Sequence, residues 1–282
     1  MMIENRLIAY VLLALLVALV VSFLMTPIVK TFAYKVGAID VPKDARRMHK
    51  TPIPRLGGLA IFIGFMVSIL LFVEITGEMR SILLGAVIIV VLGVVDDIMA
   101  LPALLKFVVQ IVAALIPATH GVTIQAFSNP NVFSDNPYWV LGNLSIPLTV
   151  LWIVAITNSV NLIDGLDGLA NGVSAISATT VLVIAIMGGQ FQVAVVMAAL
   201  VGACVGFMPY NMNPAKMFMG DTGATFLGYI LATMSIEGLF KFYAIISFAV
   251  PFLILGLPIF DTAFAFIRRI AHGQSPMHAD RS

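Results

Sequence analysis

The sequence predicts an all-α fold, a polytopic bundle of transmembrane helices, and three observations support that prediction. Hydrophobic residues make up 61% of the 282 residues and charged residues only 10%, whereas soluble domains carry about 25% charged residues. Apolar stretches that approach the thickness of a bilayer recur along the whole chain. Lysine and arginine gather in alternate connections between these stretches, as in membrane proteins of fixed orientation.

Nine apolar stretches are candidate membrane spans, because a helix needs about 20 mostly apolar residues to cross the hydrocarbon core. They run near residues 7–29, 57–75, 81–95, 104–120, 146–160, 171–187, 191–209, 223–239 and 243–267. The first follows Arg6 as a signal peptide would, but it lacks a small-residue cleavage site, so we interpret it as a retained helix. Several stretches are short, and we expect tilt or extension into the loops.

The distribution of basic residues predicts that the N-terminus lies outside the cell. With alternating spans, twelve lysines and arginines then lie at inside connections and three lie outside. The inside group is Lys30, Lys35, Lys43, Arg46, Arg47, Lys50, Arg55, Lys106, Lys216, Arg268, Arg269 and Arg281, and the outside group is Arg6, Arg80 and Lys241. The net charge of +1 carries no nucleic-acid signal, so no nucleic-acid partner is expected.

Five aspartates, Asp96, Asp97, Asp164, Asp167 and Asp221, all fall on the predicted cytoplasmic side, although they belong to three segments. Carboxylates at a membrane boundary are costly unless they are paired or functional, which predicts one shared site. Adjacent residues on a helix point in different directions. We therefore expect Asp96 and Asp97 to have different roles, one toward a metal or phosphate and one toward a neighbouring helix. For this pair alone, a solvated helix end is the alternative.

A second polar group, Asn158, Asn161, Asp164 and Asp167, repeats at intervals of three residues through the NLIDGLDGL motif. A continuous helix would place these side chains on one face. Four oxygen-bearing side chains in a row suit a hard cation or a sugar nucleotide. The intervening glycines permit close backbone approach or break the helix here.

Asp221 lies in the MGDTG motif at the start of the eighth span. We expect the helix that follows to offer its N-terminal N–H groups to an anion. The simpler alternative is that Asp221 only caps this helix, although capping and metal binding are compatible.

Two basic segments lie on the same predicted side. One is Arg46-Arg47-Met48-His49-Lys50 followed by Pro54-Arg55-Leu56-Gly57-Gly58, and the other is the tail with His278 and Arg281. Basic clusters beside a membrane most often attract anionic lipid, but this one is also a candidate collar for a lipid phosphate or a nucleotide. His278 and Arg281 are suited to bind a pyrophosphate through charge-assisted hydrogen bonds. The alternative is that this tail is disordered.

Two other classes of protein fit this composition, a cation-coupled membrane transporter and a structural membrane protein without chemistry. Carriers place their coupling groups near the middle of the bilayer, whereas the aspartates here gather at one face. A structural protein leaves the three Asp-rich motifs unexplained. These patterns favour an enzyme supplied from the cytoplasm.

Five motifs, in the same order along the chain, resemble those of the polyprenyl-phosphate N-acetylhexosamine-1-phosphate transferase superfamily. They are the arginine–histidine region with PRLGG, GVVDD with Lys106, NLIDGLDGLANG, NPAKMFMGDTG and the terminal HADR. PRLGG and HADR resemble the bacterial undecaprenyl-phosphate GlcNAc-1-phosphate transferase branch, which starts teichoic acid and O-antigen synthesis. The consecutive histidine triplet of the phospho-MurNAc-pentapeptide translocase branch does not occur in this sequence.

The resemblance implies a Mg²⁺-dependent phosphoglycosyltransferase of the bacterial plasma membrane, with Mn²⁺ as an alternative ion. It would move GlcNAc-1-phosphate from UDP-GlcNAc to undecaprenyl phosphate, releasing UMP and forming undecaprenyl-pyrophosphoryl-GlcNAc for a cell-envelope glycopolymer. The implied partners are a UDP-N-acetylhexosamine, undecaprenyl phosphate, the lipid bilayer and, as a candidate assembly, a homodimer. The alternative activity is that of a phospho-MurNAc-pentapeptide translocase.

The resemblance also implies roles for individual residues. Asp221 resembles the main magnesium ligand, with Asn161 as its companion. Asp96 and Asp97 resemble the catalytic pair that engages the lipid phosphate and metal, with Asp96 as the proton acceptor. The substrate-binding positions it implies are His49, Lys50, Lys106, Asn158, Asp164, Asp167, His278 and Arg281.

The family's C-terminal pattern continues past HADRS into a histidine-rich stretch and further spans, for ten or eleven spans in total. We therefore expect residues 1–282 to form one transmembrane catalytic domain, shortened at the C-terminus relative to the family.

Overall fold

The computed structural model describes residues 2–41, 52–128, 136 and 138–240. Eight α-helices make up most of this part of the chain: α1 (Met2–Val36), α2 (Gly57–Phe72), α3 (Gly77–Met99), α4 (Ala103–Thr119), α5 (Ser145–Leu162), α6 (Leu169–Met187), α7 (Phe191–Asn211) and α8 (Gly220–Ser235). Two short antiparallel strand pairs, β1 (Ile39–Asp40) with β2 (Ile53–Pro54) and β3 (Ala126–Ser128) with β4 (Tyr138–Val140), lie in the connections. A 3₁₀ turn (Gly142–Leu144) precedes α5, and a π-helical turn (Ile236–Phe240) continues α8.

The eight helices coincide with the first eight predicted spans, and the ninth, 243–267, lies outside the described residues. Five helical segments in the described part are long and apolar enough to cross a membrane: Ile8–Val36, Gly77–Met99, Gly142–Leu162, Leu169–Met187 and Phe191–Asn211. Helices α2 and α4 are apolar but shorter, and α8 has 16 residues. The helical membrane fold is confirmed, whereas the number of crossings and the orientation stay predictions.

Helix α8 is the centre of the bundle. It contacts α2, α3, α5 and α6, and every residue from Thr222 to Ser235 is buried. Several of its hydroxyl side chains bond within the helix, as when Thr233 Oγ1 donates to the carbonyl of Tyr229 over 2.9 Å. A helix buried on all sides belongs to the protein interior, so its N-terminus is held in the middle of one end of the bundle.

Helices α1 and α7 approach each other closely. Gly202 and Gly206 lie four residues apart on α7, and an added Cβ at either would overlap the carbonyl oxygen of Leu15 or Leu19 on α1. Small residues at such spacing let membrane helices pack backbone to backbone. Other large apolar side chains of α1, such as Leu16, are exposed, as expected for a lipid-facing surface.

The start of α2 is fastened to the segment that precedes α8. The Gly57 N–H donates to the carbonyl of Phe218 over 3.0 Å, and the Phe218 N–H donates to the carbonyl of Pro54 over 2.9 Å. The PRLGG and FMGD motifs, which are far apart in sequence, therefore pair through their backbones.

The predicted continuous polar row from α5 onward is wrong in one respect. Helix α5 ends at Leu162 and α6 begins at Leu169, so Asp164 and Asp167 lie in the connecting turn rather than on one helix face with the two asparagines. The glycine-rich sequence breaks the helix here, which was the alternative expectation.

Candidate active site

One end of the bundle brings together polar residues from three distant segments. Asp96 and Asp97 lie in the last turn of α3, Lys106 in the first turn of α4, and Asp221 in the first turn of α8. Because α8 is central and packs against α3, these helix ends meet. The shared site predicted for Asp96 and Asp221 therefore has a structural basis.

Lys106 joins two of these carboxylates. Its Nζ donates to Asp96 Oδ2 over 2.9 Å and to Asp221 Oδ2 over 3.0 Å. The Asp96 side chain is 6% exposed, whereas that of Asp221 is 25% exposed and that of Lys106 28% exposed. The other oxygen of Asp96 accepts the backbone N–H of Leu101 over 2.7 Å. Asp221 is thus the more accessible carboxylate, and Asp96 is the more buried one, with both of its oxygens hydrogen-bonded.

Asp97 faces a different set of partners. Its Oδ1 accepts hydrogen bonds from Arg55 Nε and from the Asp221 backbone N–H, both over 3.0 Å. Its Oδ2 accepts the backbone N–H of Thr222 over 3.0 Å and the Thr222 hydroxyl over 2.7 Å. The Asp97 side chain is fully buried, and these donors offset the cost of burying its charge.

The N-terminus of α8 bears on two expectations, that Asp221 caps the helix and that the helix N–H groups bind an anion. The helix begins at Gly220, and Met219 at the N-cap position forms no side-chain cap. Asp221 is therefore not the N-cap. The helix was expected to offer its N-terminal N–H groups to an anion, and the anion that binds those of Asp221 and Thr222 is the Asp97 carboxylate. The physical reason is tertiary, because α3 supplies the anion that satisfies the helix end.

Arg55 was predicted only as part of a basic collar, and the structure gives it an internal partner. Its Nη2 is 3.0 Å from Asp97 Oδ1, in addition to the Nε contact. An aspartate near the end of an apolar helix is the feature that points to such a pair, since a buried carboxylate needs a cationic or N–H partner. The backbone pairing of PRLGG with FMGD places the guanidinium beside that carboxylate.

Gln110 was not singled out from the sequence. Its Oε1 accepts a 2.6 Å hydrogen bond from Asn158 Nδ2, which also donates to the carbonyl of Val154 over 2.8 Å. Gln110 is buried and lies one helical turn after Lys106. Asn158, a predicted substrate-binding residue, thus also joins α5 to α4.

The turn between α5 and α6 contributes Asp164 and Asp167. Burial, together with the nearby negative charges of Asp221 and Asp97, raises the pKa of Asp164 to about 7, against the lowering effect of the Arg55 charge. Asp164 therefore lies within the electric field of the carboxylate cluster.

Asp167 ties this turn to the connection between α7 and α8. Its Oδ2 accepts hydrogen bonds from Asn213 Nδ2 over 3.2 Å and from the Ala215 backbone N–H over 3.0 Å. The two connections that flank the carboxylate cluster are thus held together.

The remaining predicted site residues divide into two groups. Asn161 lies in the last turn of α5, three residues before Asp164. His49, Lys50, His278 and Arg281 lie outside the described residues.

The residues around Asp221 fit a divalent cation that is completed by its substrate. Within residues 2–41, 52–128, 136 and 138–240, no three histidine, cysteine, aspartate or glutamate side chains are close enough to hold a metal ion. Mg²⁺ commonly uses only one or two carboxylates together with waters and substrate phosphates. Asp96 and Asp221 already share one cation, the Lys106 ammonium. The site therefore suits Mg²⁺ bound with a phosphate rather than a cage made wholly of protein ligands.

Comparison with known proteins gives a family match over more than half of the chain. The family described as "Glycosyl transferase family 4" matches residues 79–239, which run from α3 to the turn after α8 and include the described acidic cluster.

Similar proteins cover nearly the whole chain. It is 43% identical over 284 residues to the "Probable undecaprenyl-phosphate N-acetylglucosaminyl 1-phosphate transferase" of Bacillus subtilis, covering all of this chain and 77% of the relative. It is 34% identical to the "Decaprenyl-phosphate N-acetylglucosaminephosphotransferase" of Mycolicibacterium smegmatis, covering 94% of this chain and 72% of the relative. It is 32% identical to a "Phospho-N-acetylmuramoyl-pentapeptide-transferase" of Clostridium botulinum, covering 80% and 73%. The predicted family is therefore confirmed, and the chain belongs to glycosyl transferase family 4, a family of polyprenyl-phosphate sugar phosphotransferases.

Proposed function

We propose that this chain transfers GlcNAc-1-phosphate from UDP-GlcNAc to undecaprenyl phosphate and releases UMP. The observation that carries the proposal is the Lys106 ammonium between Asp96 and Asp221 at one end of an apolar helix bundle. A lipid acceptor stays in the bilayer and a nucleotide arrives from water, so their reaction needs a charged site at the membrane boundary. The name of the Bacillus subtilis relative supports the choice of sugar and lipid.

The proposed reaction is a direct displacement at phosphorus. An oxygen of the lipid phosphate attacks the phosphorus that carries the sugar, and the bond from that phosphorus to the bridging oxygen breaks as UMP leaves. The second pKa of a phosphate monoester is about 6, so the acceptor is largely ionised near neutral pH and needs no strong base. A phosphorylated Asp96 or Asp97 detected by mass spectrometry would contradict direct attack.

Because both reactants are anions, the main task of the site is to position them and offset their repulsion. Mg²⁺, when bound, would stabilise charge on the diphosphate and on the departing UMP. Asp221 and Asn161 are the residues proposed to hold it, with Asp96 facing the same space. Lys106 would bind the remaining phosphate oxygens through charge-assisted hydrogen bonds.

Asp164 and Asp167 are proposed to contact the nucleotide from the turn between α5 and α6. Asp97 and Arg55 hold the backbone of Asp221 in place, and Asp97 contributes to catalysis through that contact. We further propose that the site faces the cytoplasm of a bacterial plasma membrane, as the distribution of basic residues predicts. A cation-coupled transporter is less well supported, because carriers bind near the middle of the bilayer and these carboxylates lie at helix ends.

The test uses the full chain in detergent or membranes, with undecaprenyl phosphate and radiolabelled UDP-GlcNAc. We expect label in the lipid and one UMP for each sugar transferred. Asp221→Asn should lower the rate by about 100-fold or more, as when other groups that stabilise transition-state charge are removed. The variant should keep its thermal stability, because the Asp221 backbone rather than its carboxylate binds Asp97.

A panel of donors separates the related activities. Transfer from UDP-MurNAc-pentapeptide in preference to UDP-GlcNAc would assign the chain to the activity named for the Clostridium botulinum relative. Release of no UMP from any UDP-sugar, or equal transfer by wild type and Asp221→Asn, would contradict the proposed function.

A further inference from the structure

The Lys106 ammonium lies between two carboxylates, one of which, Asp221, would hold the divalent cation. Its nitrogen is 2.9 Å from Asp96 Oδ2 and 3.0 Å from Asp221 Oδ2. A second cation cannot bridge the same two oxygens while the ammonium stays there, because like charges at that separation repel strongly.

We propose that Lys106, which bridges Asp96 and Asp221, competes with the divalent cation for the Asp221 carboxylate, and that binding of the cation would free its ammonium for the phosphates. This inference rests on the proposed function, which supplies both the metal and the phosphate groups. It gives Lys106 two alternative partners, the carboxylates of Asp96 and Asp221 and the substrate phosphates.

The surroundings of Lys106 allow the side chain to move while the carboxylates stay in place. The Lys106 side chain is 28% exposed, and lysine carries its charge on a flexible four-carbon stem. The second oxygen of Asp96 is held by the Leu101 N–H, and the backbone of Asp221 is held by Asp97. Displacing the ammonium therefore leaves the Asp96 carboxylate and the Asp221 backbone in place.

The charges predict how the exchange is coupled to substrate. Without a metal, Lys106 offsets the repulsion between Asp96 and Asp221. After displacement, the ammonium and the metal repel each other until an anion separates them. The cation alone should therefore bind weakly, and a diphosphate should strengthen its binding by the same factor by which the cation strengthens diphosphate binding.

The test measures binding of Mn²⁺ alone, with Mg²⁺ as a competitor, to the full chain in detergent by electron paramagnetic resonance, without nucleotide. Lys106→Met and Lys106→Gln should each raise the affinity for Mn²⁺ about tenfold or more, which corresponds to about 1.4 kcal/mol. The control is Lys216→Met, which removes an exposed positive charge from the connection before α8 and should leave the affinity unchanged.

Unchanged or weaker Mn²⁺ binding in the folded Lys106 variants would overturn the proposal, since Lys106 would then not compete for the site. A second measurement uses the wild-type chain, so its result does not depend on whether the variants fold. An amine-reactive reagent should label Lys106 faster after Mg²⁺ is added, with Lys216 as the internal reference, and an unchanged rate would also overturn the proposal. Both readouts are independent of sugar transfer, so loss of competition and loss of the proposed activity are separable results.

Discussion

Asp96 and Asp97 are adjacent in sequence, yet they serve different parts of the molecule. Asp96 binds the Lys106 ammonium and shares it with the accessible carboxylate of Asp221. Asp97 is fully buried, and its oxygens are taken up by Arg55 and by the start of α8. Leaving the partners of a buried charge unpaired costs more than the pair contributes to stability. Asp97 therefore has mainly a positioning role, and we expect Asp96 to be the member that faces the reacting groups.

The two neighbours should respond differently to the same substitution. Asp97→Asn should lower the free energy of unfolding by about 3–5 kcal/mol, because it breaks a buried ion pair. Asp96→Asn should cost about 1 kcal/mol, because its partner Lys106 is partly exposed and keeps Asp221 as a second partner, yet it should lower sugar transfer strongly. Denaturation of both variants in detergent, combined with the transfer assay, measures these effects. An equal loss of stability in the two variants would contradict the assigned roles.

At the scale of the element, the start of α8 is fixed from outside the helix. Gly220 has a φ of +72°, in the left-handed region that favours glycine. A Cβ at this position would also overlap the carbonyl oxygen of Arg55 and the carboxylate of Asp97. The glycine thus allows Arg55, in the segment before α2, and Asp97 of α3 to contact the first turn of α8, and this contact holds the backbone of Asp221.

Gly189 provides a matched control for this requirement. It has a φ of +68° in the turn between α6 and α7, but an added Cβ would meet no atom within 4 Å. Gly189→Ala should therefore incur only the left-handed backbone cost of about 1–2 kcal/mol. Gly220→Ala should lose more stability and should also lose transfer activity, since it displaces Asp97 and Arg55. Equal melting temperatures and equal activities for the two variants would argue against the close contact.

At the scale of the whole molecule, the charged site and the β3–β4 pair lie at opposite ends of the bundle. Helix α4 begins beside the site at Ala103 and ends at Thr119, and the strand pair follows before α5 returns. The basic residues predict that the site end faces the cytoplasm.

Thiol labelling of intact cells tests this orientation. Cys204 is the native cysteine and is buried, so its background reaction should be low. Val140→Cys in β4 and Leu166→Cys in the turn beside the site replace side chains that are 79% and 58% exposed. A membrane-impermeant reagent should label Val140→Cys in intact cells and Leu166→Cys only after permeabilisation. The reverse pattern would show that the site faces outward.

The sequence by itself determined the class of fold, the eight helices of the described part and the motifs that enter the site. These features are local: an apolar stretch of sufficient length forms a helix in lipid because its backbone polar groups must be satisfied within the segment. A carboxylate at a membrane boundary is a functional candidate because a charge that is poorly solvated there is costly unless it is paired or used. Motif order identified the family, and the similar proteins confirmed it.

Only the tertiary structure decided which partner each charged group takes. Arg55 pairs with Asp97 across 42 residues of sequence, and Lys106 bonds to Asp221 across 115. The break between α5 and α6, and the use of the α8 N–H groups by Asp97, likewise depend on how helices pack. The physical reason is that a hydrogen bond forms only when two groups lie about 3 Å apart, and the packing of α8 among its neighbours sets those distances.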